Sequence, residues 1–404
     1  METKPMGEAP QALKGVKVLD LSRVLAMPFC SMILGDLGAD IVRVERPEGG
    51  DETRKWGPPW VGDQSAYYLG INRNKKSITV DLKKKEGQEI IHRLAKKRDI
   101  FLENYLPGTL SKMNLGYEQI RDMNPAIIYA SLTGFGQDGP SRNLPGYDFI
   151  MQARGGLMSI TGEADGPPIR SGVAVVDITG GLFACSAVLA ALHYREKTGR
   201  GQYIDLALLD TQVCWLANQA NNYLVSGKVP WRSGNAHPNM VPAETFMAKD
   251  GVYIALSVGN DPQWRNFCRV AEIESLTENP KFANNPKRVE NHKELIPLIQ
   301  EAILKKSSGE WHRLLTEAGI PNGPINTIDR VFQDPQVLSR GMVIEMNHPV
   351  IGKYRIVGSP LKFSETPVQY RKAPPLLGED TEGILLDLGY DLKKIVKLRE
   401  DRVI

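Results

Sequence analysis

Asp177 is the residue whose surroundings are best suited to chemistry. It stands in GVAVVDITGG, an acid closing an apolar run and leading into Gly180-Gly181 and a long apolar stretch. Two roles fit a carboxylate there. It can cap the N-terminus of the helix that follows, accepting from free N–H groups. Equally, it can act as a nucleophile, ionised at neutral pH and in need of no base. The pattern of residues leaves both open.

Other chemistries have less support. Gly134, Gly136 and Gly139 satisfy G-x-G-x-x-G after a strand-like run, but Pro140 and SRNLPG follow where a dinucleotide site needs a helix to begin. No G-x-x-x-x-G-K-[ST] and no G-x-S-x-G occurs, so a P-loop and a hydrolase elbow are not indicated. The six histidines, His92, His193, His237, His292, His312 and His348, show no metal-ligand spacing, and no metal site is expected. Four of them, His92, His193, His292 and His312, sit in amphipathic stretches and read as packing or surface residues. His237, in a Gly/Pro/Asn loop, also suits a functional role. Lys83-Lys84-Lys85 beside Glu86 reads as a solvated helix face or as an anion site.

These residues must be positioned by something. GVKVLDLS, ADIVRVE, KSITVDL, IFLEN, AIIYASL and GQYIDLALLD read as strands separated by helical stretches, which argues for a mostly parallel, doubly wound sheet. Ligands then sit beyond the carboxyl ends of the strands, so the turns after Ser22, Glu45, Asp81, Asn104 and Thr133 are where function is sought. Thr179 to Lys197 reads as a long apolar helix, and TQVCWLANQANNYLVSG as another. Near Pro230 the texture changes. A loop, a hairpin around Asp250-Gly251 and three helices follow, the last opened by a Ser307/Glu310 capping box. A smaller α+β domain is therefore expected at 229–325. The large domain takes 1–228 and regains 326–404, with a hairpin around Ile351-Gly352 and two final helices.

Bulk properties narrow the class. A chain of 404 residues needs more than one core. Its net charge of +3, with both signs interspersed, makes no polyanion-binding face, so no nucleic-acid partner is expected. Disorder is expected only over the first dozen residues. Cys30, Cys185, Cys214 and Cys268 are far apart in apolar settings and read as buried thiols in a reducing compartment. No apolar run is expected to reach the ~20 residues of a membrane span, no signal peptide is recognisable at Met1, and no membrane partner is expected.

Segments such as GVKVLDLSRVLAMPFCSMILGDLGADIVRVERPEGGDETR, NRNKKSITVDLKKKEG, NPAIIYASLTGFGQDGP, GVAVVDITGGLFACSAVLAAL and KTGRGQYIDLALLD carry a further observation. In this order the chain resembles class III CoA-transferases, the formyl-CoA and carnitine CoA-transferase family, over nearly its whole length. The resemblance implies a Rossmann-like doubly wound large domain with a smaller domain, and a homodimer of interlocked chains. It also implies an enzyme that moves CoA from a succinyl-CoA-like thioester to a free acid, a dicarboxylate such as glutarate. No permanently bound cofactor is implied; the CoA thioester is a substrate.

Residue by residue, the resemblance makes Asp177 the nucleophile. It places Arg46, Val80, Asp81, Leu82 and Lys83 on the CoA cleft, together with Asn104, Tyr105 and Leu106. Leu25, Ala26, Pro145, Gly146, Tyr147 and Asp148 fall in its CoA-binding and acyl-binding wall. Lys112 stands where relatives carry a phosphate-binding arginine, keeping charge but losing the guanidinium fork. Leu25 replaces a glutamine of formyl-CoA transferase, which suits a larger, partly apolar acyl chain. The related racemases pair the same aspartate with the histidine of Gly-His-Asp. This chain reads Gly146-Tyr147-Asp148, and tyrosine supplies a poor base near neutral pH. An α-methylacyl-CoA racemase and a non-catalytic acyl-CoA binder are the alternatives. The resemblance suggests the mitochondrial matrix, or the cytoplasm for a bacterial chain.

Overall fold

The computed structural model describes residues 10–404. The first nine, most of the stretch read as disordered, lie outside the described residues. Six strands make the central sheet: β1 (Lys17–Asp20), β2 (Asp40–Glu45), β3 (Lys75–Thr79), β4 (Ile100–Glu103), β5 (Ile128–Thr133) and β6 (Tyr203–Ala207). Their order is β3-β2-β1-β4-β5-β6 and every neighbouring pair is parallel. This is the doubly wound Rossmann order, whose direction reverses between β1 and β4.

The helices of this part are α1 (Ala26–Asp36), α2 (Ala66–Ile71), α3 (Lys85–Ala95), α4 (Tyr117–Met123), α5 (Asp148–Arg154), α6 (Val175–Thr198), α7 (Leu208–Trp215) and α8 (Ala217–Ser226). Side chains alternate across each strand, so the sheet feeds two cores. Leu19, Val42, Val44 and Phe101 pack with α3 and α4 on one face. Val18, Ile41, Ile100 and Leu102 pack with α1 and α6 on the other. Burial on both faces explains why the strands read as continuous apolar runs.

The chain divides into two compact units. The first is 1–157, 171–220 and 336–404, and the second is 158–170 with 221–335. In the second, β7 (Ala243–Met247), β8 (Tyr253–Ser257) and β9 (Asn322–Pro324) form an antiparallel sheet with β8 central. Trp264, Phe267, Phe282, Leu295 and Trp311 fill its core. Three longer helices, α9 (Asp261–Val270), α10 (His292–Ile303) and α11 (Ser308–Glu317), are joined by two short ones at Ser275–Glu278 and Asn285–Glu290. The capping box at Ser307 and Glu310 opens α11.

Back in the first unit, the hairpin of β10 (Val343–His348) and β11 (Gly352–Val357) packs on Leu69 of α2. Helices α12 (Thr381–Asp387) and α13 (Leu392–Glu400) join the core beside α3.

Four readings need correction. Helix α6 spans 24 residues and is long and apolar enough to cross a membrane. Read from the sequence, it is four residues shorter at its start and one shorter at its end. It packs on the sheet through Val176, Ala184, Cys185, Val188, Ala191 and Leu192. It also begins at Val175, so Asp177 lies in its first turn rather than before it. The helix expected over 211–227 is two, broken where Ala217 adopts a φ of +43°. Cys214 is exposed, whereas Cys30, Cys185 and Cys268 are buried.

Candidate active site

Topology concentrates chemistry where β1 and β4 end. Asn104, just past β4, accepts the N–H of Arg23 at 2.8 Å and donates back to the Arg23 carbonyl at 2.7 Å. One amide side chain thus ties the two strand exits together across the switch point. Beyond it Val24 holds a φ of +66°, a strained geometry for a β-branched residue. Its N–H donates to Asp51 Oδ2 at 3.0 Å. Asp51 is held in turn by Arg43, fully buried at 2.5 Å, which also lies 3.8 Å from Asp20. Lys75, equally buried, donates to the Pro28 carbonyl at 2.7 Å and lies 3.7 Å from Asp20. Loss of hydration in this interior lowers its pKa to about 7. This buried ionic web fixes the turn that delivers Leu25 and the start of α1.

Helix α6 arrives against α1 at very short range. A Cβ on Gly181 would stand 2.4 Å from the Ala26 carbonyl oxygen, so only glycine permits this crossing. Asp177 is thereby brought beside the start of α1. Asp148, the first residue of α5, accepts the Val176 N–H at 2.8 Å and the Asp177 N–H at 3.3 Å through Oδ2. The acid that caps α6 is therefore Asp148, and the Asp177 side chain is left unspent. Among the described residues no hydrogen bond or ion pair reaches its carboxylate. Burial and, next, the Asp148 charge push its pKa up to about 7.

Asp177 faces a cavity of about 250 Å³ lined also by Leu25, Ala26, Asn104, Leu106, Pro145, Gly146 and Tyr147. A larger one, about 630 Å³, is lined by Arg46, Val80, Asp81, Leu82, Lys83, Lys84 and Met113. Arg23, Glu52 and Tyr105 line both. Arg23 lies over the Tyr105 ring at 4.7 Å, so this pair forms part of the wall common to both.

The residues named from the sequence are thus largely gathered. Lys112 and Asp148 line neither cavity; Lys112 is exposed on the turn Ser111–Met113, while its neighbour Met113 faces the larger cavity. Asp148 lies beneath the smaller cavity as the cap of α6. Residues not foreseen include Arg23, Glu52 and Asp51 and, from the far end of the sequence, Arg399 and Arg402 in the larger cavity. The turn after Ser22 was flagged by topology, but no pattern singled out Arg23.

Glycine amides offer little to a developing oxyanion. Gly180 and Gly181 lie beyond the first turn of α6, where N–H groups serve the helix itself. Gly259 donates to Gln263 Oε1 at 2.8 Å. The first amides of α1, Ala26 and Met27, lack intrahelical partners by position. Arg232 donates to the carbonyls of Glu163 and Gly166 within the second unit. No cluster of metal-ligating side chains occurs among the described residues.

A Rossmann-ordered sheet with an unspent acid at its mouth and a cation-lined cleft alongside has the layout of an α/β enzyme. The chain belongs to CoA-transferase family III, whose family model matches residues 13–381, and it is an enzyme of the transferase type. It is similar to the succinyl-CoA:glutarate CoA-transferase of Homo sapiens, 47% identical over 96% of this chain and 88% of that one. It is 43% identical to the succinate–glutarate CoA-transferase of Agrobacterium fabrum, covering 93% of this chain and 95% of that one. The solved structure of a CAIB/BAIF family protein from Brucella suis superposes with a TM-score of 0.82 at 41% identity, covering 94% of this chain and 99% of that one.

Proposed function

We propose that this enzyme moves CoA from succinyl-CoA to a free dicarboxylic acid, glutarate foremost, through covalent intermediates on Asp177. The observation that carries this reading is the Asp177 carboxylate, without a partner, facing a cavity that shares Arg23, Glu52 and Tyr105 with the larger cationic cleft. The nucleotide end of CoA occupies the larger cavity and the thioester reaches the smaller one. The names of the relatives, succinyl-CoA:glutarate transferases among them, support the choice of donor and acceptor.

Asp177 Oδ attacks the thioester carbonyl carbon, and the C–S bond breaks to give a mixed anhydride and CoA thiolate. The thiolate then attacks the aspartyl carbonyl, releasing the donor acid and leaving an aspartyl-CoA thioester. The acceptor carboxylate attacks that thioester, freeing thiolate, which takes the acceptor acyl group from the second anhydride and restores Asp177. One thioester replaces another, so the exchange is near balance. We assign stabilisation of the oxyanions to the N–H of Ala26, at the positive end of α1 on the wall of the smaller cavity. Leu25, with only 7% of its surface exposed, gives the acyl pocket an apolar wall.

We read the active form as a homodimer. Leu182 and Phe183 of α6 and Val213 and Trp215 of α7 are each more than 40% exposed, an apolar surface that a second copy would cover. The compartment follows the source: the mitochondrial matrix in a eukaryote, the cytoplasm in a bacterium.

The test is an acyl-exchange assay with succinyl-CoA and a panel of glutarate, 3-hydroxy-3-methylglutarate, citramalate, formate, oxalate and carnitine. Transfer to glutarate supports the reading. Silence across the panel, with proton exchange at C2 of a branched acyl-CoA, would replace it with the racemase alternative.

A further inference from the structure

Helix α13 ends in a tail that forms part of the larger cavity. The Val403 N–H donates to the Leu398 carbonyl at 2.8 Å and the Arg402 N–H to that of Arg399 at 2.9 Å. This is a Schellman closure, and its left-handed position is where glycine prevails. Here Arg402 occupies it, with a φ of +53°. The tail is then tied to the loop after β3. Val403, buried to 1% exposure, accepts the Asp81 N–H at 2.7 Å, and the Lys84 ammonium donates to the Asp401 carbonyl.

Six cations line this cavity: Arg23, Arg46, Lys83, Lys84, Arg399 and Arg402. Four are engaged. Arg23 and Arg46 approach Glu52, Arg399 pairs with Glu382 at 2.8 Å, and Lys84 serves Asp401. Among the described residues, the Lys83 ammonium and the Arg402 guanidinium have no acidic partner and no hydrogen bond. A glycine-favoring position given to arginine, an anchored backbone and two unpaired cations in one cavity converge on one chemistry.

We propose that Arg402, together with Lys83, forms a phosphate-binding site in the larger cavity. This rests on the reading of that cavity as the CoA cleft, and goes beyond it by assigning the tail of α13 a share in ligand recognition. A guanidinium offers a paired-donor fork to phosphate oxygens. CoA has two phosphate sources, the ribose 3′-phosphate and the diphosphate.

The experiment is calorimetric titration of the full chain with CoA and with 3′-dephospho-CoA, using wild type, Arg402→Gly and Arg402→Lys. Glycine suits the left-handed backbone, so Arg402→Gly removes the fork while keeping the closure. Weakening of CoA binding by about tenfold in Arg402→Gly, with partial recovery in Arg402→Lys, is the expected result. If dephospho-CoA binding is unaffected, the 3′-phosphate is the group bound; if both ligands weaken alike, it is the diphosphate. Wild-type affinity for both ligands in Arg402→Gly overturns the proposal alone. A wild type that binds neither ligand overturns the cleft reading and the proposal with it.

Discussion

Asp148 caps the helix that carries Asp177, and after burial the same carboxylate is the second cause that raises the affinity of Asp177 for a proton. One acid does the structural work at the start of α6 and leaves the other available for chemistry.

Asp177→Ala should lower acyl exchange by roughly 10³-fold or more, the scale on which loss of a nucleophile is felt. CoA binding should persist, since Asp177 does not line the larger cavity. Trapping with hydroxylamine after incubation with succinyl-CoA should give a hydroxamate in wild type and none in the variant. Retained turnover would reject the covalent route.

The pH profile should follow Asp177. With a pKa near 7, the attacking carboxylate is depleted below neutrality, so exchange should climb as pH rises through about 7. The same shift has a stability consequence. The folded state holds this proton more tightly than the unfolded chain, whose value is 3.8. That contribution is present below the unfolded value and is lost as pH rises through about 7. Asp177→Asn should therefore melt higher than wild type above neutrality, with the difference closing in acid. A flat comparison across pH would contradict the assignment.

Asp148→Asn keeps an oxygen for the α6 amides but removes the like charge. The limb of the pH profile should move to lower pH while the fold remains. A limb that stays in place would show that Asp148 does not act on Asp177 electrostatically.

Arg43→Met should cost about 3–5 kcal/mol by leaving Asp20 and Asp51 buried without their cation. Urea unfolding measures this directly. An unchanged midpoint would mean that the ionic web does not hold the Val24 turn.

Gly181→Ala should cost about 1–3 kcal/mol through overpacking of α6 on α1. Because that crossing brings Asp177 to α1, exchange should fall further than stability alone would predict. Normal melting and normal exchange together would rule out a tight crossing.

The parallel sheet was legible because strands buried on both faces leave long apolar runs, and the hairpin at Asp250-Gly251 because its turn chemistry is local. The start of α6 was not. Its cap is Asp148, 28 residues from Val176, and nothing near Asp177 announces a distant acid. The break at Ala217 escaped because alanine favours helix and gives no warning of a positive φ. The resemblance to transferases supplied the cleft residues from Arg46 to Tyr147, while composition and spacing alone stopped at Asp177 with two roles open. Lys112 is exposed and lines neither cavity.

The bond between Lys84 and the Asp401 carbonyl joins residues 317 positions apart. A ribosome adding about 5–20 residues per second needs roughly 16–63 s to cover that interval. Throughout that time the loop after β3 has emerged without the tail that fixes it. The wall of the larger cavity accordingly cannot be finished before residue 402 has been made, and a growing chain carries β1 to β6 well before that wall is whole.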